Sequence, residues 1–81
     1  MKQCDVILRA MLKNKDKTWW YASDFQTDPW FVGYEASARM SDVLRMYPDV
    51  VIAEQDGRFR TLRINWKNKK AIKELIKEKE W

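Results

Sequence analysis

The chain has 81 residues, enough for one small domain that buries roughly 60% of the surface its unfolded form exposes. It contains no histidine and one cysteine, Cys4, so it lacks the ligands of the usual zinc sites, the base of a Cys-His or Ser-His-Asp arrangement, and an internal disulfide. Its carboxylates show no pairing typical of acid–base catalysis or of an oxygen-ligand loop. We therefore expect no enzyme activity, no cofactor and no metal.

The net charge of +4 is unevenly distributed along the chain. Residues 1–65 hold ten Lys/Arg against nine Asp/Glu, or +1, whereas residues 66–81 hold six Lys against three Glu, or +3. No apolar run approaches the ~20 residues of a membrane span, and the chain does not open with a signal-peptide pattern. Together with the lone cysteine, this predicts a cytoplasmic protein without membrane contact.

Helical spacing of apolar residues predicts a first helix over residues 5–13, followed by a polar turn at 14–17. The run Thr-Trp-Trp-Tyr at 18–21 is rich in strand-forming residues and predicts a short strand. Neighbouring residues of a strand point to opposite faces. Trp19 and Trp20 therefore cannot both lie in the core.

Two further helices are predicted between residues 23 and 47. Ser23, with Gln26 three residues later, matches a capping box and predicts a short helix that ends before Pro29. Residues 34–47 carry apolar side chains along one face of an α-helix, and Pro48 ends that helix.

A β-hairpin is predicted from two β-prone runs, 50–55 and 58–64, that flank Asp56 and Gly57. An Asp-Gly pair in this position favours a type I′ turn, in which both central residues have positive φ. The second run alternates, and the sequence leaves open which of its faces is buried. One face carries Arg58, Arg60, Leu62 and Ile64, and the other carries Phe59, Thr61 and Arg63.

The tail, residues 67–81, is helical by propensity, and Asn68 is a candidate cap. Its narrow apolar stripe could dock on the domain or pair with a second copy, so a homodimer through residues 68–81 is one expectation. We accordingly divide the chain into a domain at 1–65 and a basic amphipathic C-terminal helix at 66–81. The stripe consists of Ala71, Ile72, Leu75 and Ile76.

The order of these elements resembles the winged helix-turn-helix fold over residues 5–64. The stretch FVGYEASARMSDVLRMYP at 31–48, followed by the DGRFR hairpin turn at 56–60, is similar to small winged-helix proteins encoded by phages and prophages. This resemblance implies an α+β fold, a winged helix with a three-helix helix-turn-helix core, a β-hairpin wing and an additional C-terminal helix.

In winged-helix DNA binders the second helix of the helix-turn-helix lies in the major groove, and the wing contacts the backbone or minor groove. The resemblance thus implies a small DNA-binding protein, a transcriptional regulator or accessory factor of phage or mobile-element type, with double-stranded DNA as its partner. The implied recognition-helix contacts are Tyr34, Glu35, Ser37, Ala38, Arg39, Ser41, Asp42 and Arg45. The implied wing contacts are Arg58, Arg60 and Arg63, and the further backbone candidates are Lys13, Lys15 and Lys17.

Other interpretations of the same residues stay open. Glu35 and Arg39 are four residues apart, and Asp42 and Arg45 are three apart, so both pairs have the spacing of intrahelical ion pairs. The wing arginines could also serve only to prevent edge-to-edge aggregation of an exposed hairpin, as positive side chains on strand edges do. The alternative function is a winged-helix protein–protein interaction module that contacts another protein without binding DNA.

Overall fold

The computed structural model describes residues 2–81 and contains three α-helices, one 3₁₀ helix and a two-stranded antiparallel sheet. The α+β class is therefore confirmed. In chain order the elements are α1 (Gln3–Lys13), the 3₁₀ helix (Ala22–Gln26), α2 (Ala36–Met46), β1 (Val51–Asp56), β2 (Phe59–Ile64) and α3 (Lys69–Lys79). Each α-helix is 11 residues long, and none within residues 2–81 is long and apolar enough to cross a membrane.

The predicted second helix exists, but it is a five-residue 3₁₀ helix and Ser23 does not cap it. Its N-cap is Tyr21, whose backbone N–H donates to the Asp24 carboxylate at 2.8 Å. This charge-assisted hydrogen bond fixes the cap at Tyr21, so the helix starts at Ala22, one residue before the predicted cap. The capping-box prediction for Ser23 and Gln26 is therefore wrong.

The predicted strand at 18–21 is reduced to a single bridge between Trp20 and Leu62 of β2. Each backbone N–H of this pair donates to the carbonyl of the other at 2.9 Å. Trp20 is 1% exposed and Trp19 is 41% exposed, so one of the two indoles lies inside and the other outside, as predicted.

The hairpin forms where predicted, but its turn is displaced by one residue. Asp56 pairs with Phe59 as the last residue of β1, which leaves Gly57 and Arg58 as the central residues. Gly57 has φ +60°, whereas Arg58 does not have a positive φ, which is the pattern of a type II′ turn. The type I′ prediction is wrong because a type II′ turn needs positive φ at its first central residue only, and Gly57 supplies it.

The core lies between the helices and one face of the hairpin. On β2, the inward face is the one that carries Leu62 and Ile64, which settles the face that the sequence left open. Trp20 is central to this core, because its ring stacks on Phe25 at 5.3 Å and meets the edge of Trp30 at 4.9 Å between centroids.

The C-terminal helix α3 packs against the same core as the rest of the chain. Asn68 caps it, since its side-chain oxygen accepts from the backbone N–H of Ala71 at 3.3 Å. Ile72 and Leu75 are buried in the core cluster, and Lys79 lies 3.4 Å from the Asp5 carboxylate of α1. The apolar stripe therefore docks on the domain, and the homodimer through residues 68–81 stays a prediction.

Candidate nucleic-acid interface

A groove of about 260 Å³ separates α2 from the tip of the hairpin, with the 3₁₀ helix along one side. We call it the α2–hairpin groove. Three of the residues predicted to contact DNA meet there, namely Ser37 from α2 and Arg58 and Arg60 from the hairpin. The remaining lining residues are Tyr21, Ala22, Ser23, Gln26, Met40 and Phe59.

Arg60 connects the hairpin to α2 at this groove. Its Nη1 donates to the Ser41 hydroxyl oxygen at 2.7 Å, and the Ser41 hydroxyl lies 3.3 Å from the Ser37 carbonyl oxygen that accepts from it. Arg58 and Arg60 are both exposed, and within residues 2–81 neither forms an ion pair with a carboxylate. The groove therefore carries two positive charges that no acidic side chain neutralises.

The two arginines of α2 are, in contrast, held by one carboxylate. Arg39 lies 3.3 Å from Asp42 Oδ2, and Arg45 lies 2.8 Å from Asp42 Oδ1. The ion pair between Asp42 and Arg45 has the expected spacing, but Arg39 pairs with Asp42 instead of Glu35. Glu35 is the N-cap of α2, and it bonds to Arg39 through its backbone carbonyl, which accepts from the Arg39 N–H at 3.1 Å.

Arg63, the third wing arginine, lies on the other face of the hairpin. Its Nε is 2.8 Å from a Glu54 carboxylate oxygen, and its guanidinium lies 5.7 Å from the centre of the Trp19 ring. The structure therefore does not bring Arg63 to the α2–hairpin groove. The alternation of β2 already separates it from Arg60.

The three lysines at and after the end of α1 lie near other residues of the chain and do not line the α2–hairpin groove. Lys17 pairs with Asp24 at 3.3 Å and lies over the Trp20 ring, and Lys15 lies over the Trp66 ring. Lys13 is exposed and lines a depression with Trp81, where α1 meets the C-terminal end of the chain.

The loop before α2 exposes the ring of Tyr34, one of the predicted contacts, beside the ring of Phe31, which was not among them. Tyr34 is 83% exposed, and its ring meets the edge of the half-exposed Phe31 ring at 5.7 Å. Gln26 ties this loop to the 3₁₀ helix, because its amide nitrogen donates to the Tyr34 carbonyl at 3.2 Å. Among the predicted contacts, Glu35, Ser37 and Ala38 are exposed at the same end of α2.

The remaining reactive group near α2 is the thiol of Cys4. Its sulfur lies 3.9 Å from the Arg39 carbonyl oxygen, which accepts from it, at the contact between α1 and α2. Burial raises the pKa of this thiol, and the Asp42 carboxylate raises it further, so the group is protonated at neutral pH. Within residues 2–81, no three His, Cys, Asp or Glu side chains come together in a way that would hold a metal ion.

The geometry thus concentrates uncompensated positive charge and hydroxyl groups at one groove, and leaves the polar face of α2 close to neutral. Guanidinium and hydroxyl groups are donors for phosphate oxygens, and this combination suits an anionic backbone. Comparison with family models, with curated proteins and with solved structures gives no match for this chain.

Proposed function

We propose that the chain is a small winged-helix DNA-binding protein, a transcriptional regulator or accessory factor of phage or mobile-element type. In this proposal α1, the 3₁₀ helix and α2 form the helix-turn-helix core, and the β1–β2 hairpin is the wing. The observation that carries it is the α2–hairpin groove, where Arg58 and Arg60 lie beside Ser37 and Ser41 and pair with no carboxylate of the described residues 2–81.

The charges indicate which element contacts the phosphates and which contacts the bases. Arg58 and Arg60 would each donate to a backbone phosphate, a contact that fixes position and carries no sequence information. With 11 residues at 1.5 Å each, α2 is about 16 Å long, enough to lie in a major groove. Its exposed hydroxyl and charged side chains, Ser37 among them, would then face the base edges.

Salt dependence tests this proposal directly. Fluorescence anisotropy of a labelled random-sequence duplex should show binding at ~50 mM salt and roughly tenfold weaker binding at ~200 mM, as two released counterions require. A protein interacting through apolar surface alone would show little change. Failure to detect binding at ~50 mM salt, where phosphate contacts are strongest, would exclude the DNA-binding proposal.

Asp42 sets the charge of α2 and gives a second prediction. Asp42→Asn should release Arg39 and Arg45 and strengthen duplex binding roughly three- to tenfold, because a carboxylate facing the DNA is removed and two guanidinium groups become free. Anisotropy at ~50 mM salt measures the change. The matched control is Asp16→Asn, which makes the same change of charge in the exposed turn after α1. Equal affinities for the two variants would show that Asp42 does not restrain the arginines.

The protein-interaction alternative is favoured by a different observation, the exposed aromatic rings of Phe31, Tyr34 and Phe59. It predicts that a partner protein occupies this surface and that duplex DNA binds weakly or without salt dependence. The salt titration above separates the two functions.

A further inference from the structure

A second depression, of about 360 Å³, lies on the hairpin face that points away from the core. We call it the outer slot. Trp19 and Tyr21 form one side, Glu54 and Asp56 line the other, and Thr61 lies between them. Glu54 is directly opposite Thr61 in the strand register, so the slot runs across the sheet. It is lined by different hairpin residues from those of the α2–hairpin groove.

One end of the outer slot already holds a cation. The Arg63 guanidinium lies 5.7 Å from the centre of the Trp19 ring and forms the 2.8 Å ion pair with Glu54. An aromatic face and a carboxylate together are the chemistry that binds guanidinium and ammonium groups. The side chain of Arg63 thus shows what this surface accepts.

The other end carries a carboxylate without a cation. Asp56 accepts a hydrogen bond from the Tyr21 hydroxyl and, among residues 2–81, forms no ion pair. That hydrogen bond raises the pKa of the Tyr21 hydroxyl, so the phenol stays protonated and keeps donating to Asp56. The Phe59 ring packs edge-on against Tyr21 and is 65% exposed. This end therefore presents a negative charge beside aromatic surface, in a protein whose net charge is +4.

An open strand edge runs beside the slot. Leu62 bonds to Trp20 through both backbone groups, so these groups point away from β1. Ala53 stands opposite Leu62, and in an antiparallel ladder its backbone groups therefore point away from β2, as do those of Gln55 two residues on. Within residues 2–81 no other backbone group bonds to them. Such an edge is a template for another strand.

We propose that the outer slot and the open edge of β1 together bind a basic, extended segment of a partner protein. The segment adds as a strand along residues 53–55 and places a Lys or Arg side chain next to Asp56. The occupant follows from charge: the carboxylate of Asp56, unpaired within residues 2–81, and the exposed rings beside it attract cationic side chains, whereas they repel phosphates and acidic peptides. This surface lies beyond the proposed DNA-binding function and shares no charged residue with it.

The test uses the full chain, labelled with ¹⁵N, and a capped seven-residue peptide of alternating Val and Lys as the probe. We expect saturable chemical-shift changes at the backbone amides of Ala53 and Gln55 and at the Trp19 indole N–H. The combined variant Glu54→Gln with Asp56→Asn should weaken binding roughly tenfold, because the Asp56 carboxylate is lost and Arg63, freed from Glu54, repels the basic peptide. Dispersion of the spectrum confirms in each case that the variant is folded.

Two controls make the test decisive. Trp66→Ala removes another exposed indole, located after β2, and should leave peptide affinity unchanged, whereas Trp19→Ala should reduce it. A peptide of alternating Val and Glu should not bind. Shift changes confined to other surfaces, or equal affinity of the double variant and the original chain, would overturn the proposal. No nucleic acid is present, so failure of DNA binding would leave this result unaffected.

Discussion

Replacing Arg58 and Arg60 together by alanine should weaken duplex DNA binding by roughly 10- to 100-fold at ~50 mM salt. These are the two arginines of the α2–hairpin groove, and no carboxylate of residues 2–81 pairs with either, so each is free to contact a phosphate. The slope of log affinity against log salt should also fall in magnitude by about two, one unit for each lost phosphate contact. Anisotropy over a series of salt concentrations measures both quantities.

The hairpin supplies its own matched control. Arg63→Ala removes the same charge from the same strand, but Arg63 is paired with Glu54 on the opposite face. We expect its DNA affinity to stay within about threefold of the original, as for other rim charges. An equal loss in Arg63→Ala and in the double variant would mean that net charge, and not the α2–hairpin groove, drives binding. Ser41→Ala keeps the Arg60 charge and removes only its hydrogen bond to α2. Comparing its DNA affinity with that of the double variant separates the effect of the charge from the effect of this hydrogen bond.

Trp20→Ala should cost about 3–5 kcal/mol of unfolding free energy, the usual range for a buried large aromatic. A domain of this size is stable by roughly 4–12 kcal/mol in total, so the variant should be marginally folded. The indole is buried, stacks on Phe25, meets the edge of Trp30 and donates its N–H to the Lys17 carbonyl at 3.1 Å. Urea unfolding followed by circular dichroism measures the loss.

Trp19→Ala is the control, because it truncates the neighbouring residue of the same type. Trp19 is 41% exposed and packs on the outer face of the hairpin, so its loss should cost about 1 kcal/mol. If both variants were destabilised equally, Trp20 would not be the residue that holds the core together.

The helices whose apolar residues recur with a clear helical period could be predicted from the sequence. The apolar stripe of α2 and the stop at Pro48 located that helix within two residues, and Asn68 marked the start of α3. The hydrogen bonds that cap a helix are harder to predict, because several neighbouring residues can each serve as the cap. At the 3₁₀ helix Ser23 was the predicted cap, but Tyr21 is the N-cap and its backbone N–H donates to the Asp24 carboxylate.

The candidate site could be predicted as a set of residues, but not as an arrangement of charges. The sequence named five arginines on the helix and the wing, and their spacing gave the contact between Asp42 and Arg45. It could not show that Asp42 also holds Arg39. Nor could it show that Arg60 reaches Ser41, 19 residues away, because that contact depends on how the hairpin packs against α2.

The two-residue loop at Gly57 and Arg58 constrains how the length of this hairpin can evolve. Side chains alternate between the faces, so inserting one residue into β2 would turn Arg60 outward and bring Phe59 or Thr61 to face α2. An insertion of two residues in each strand keeps both the strand pairing and the two faces in phase, and only moves the arginines farther from the core. Homologous chains that keep the arginines facing α2 should therefore differ in hairpin length by multiples of four residues, and other differences should coincide with a β-bulge.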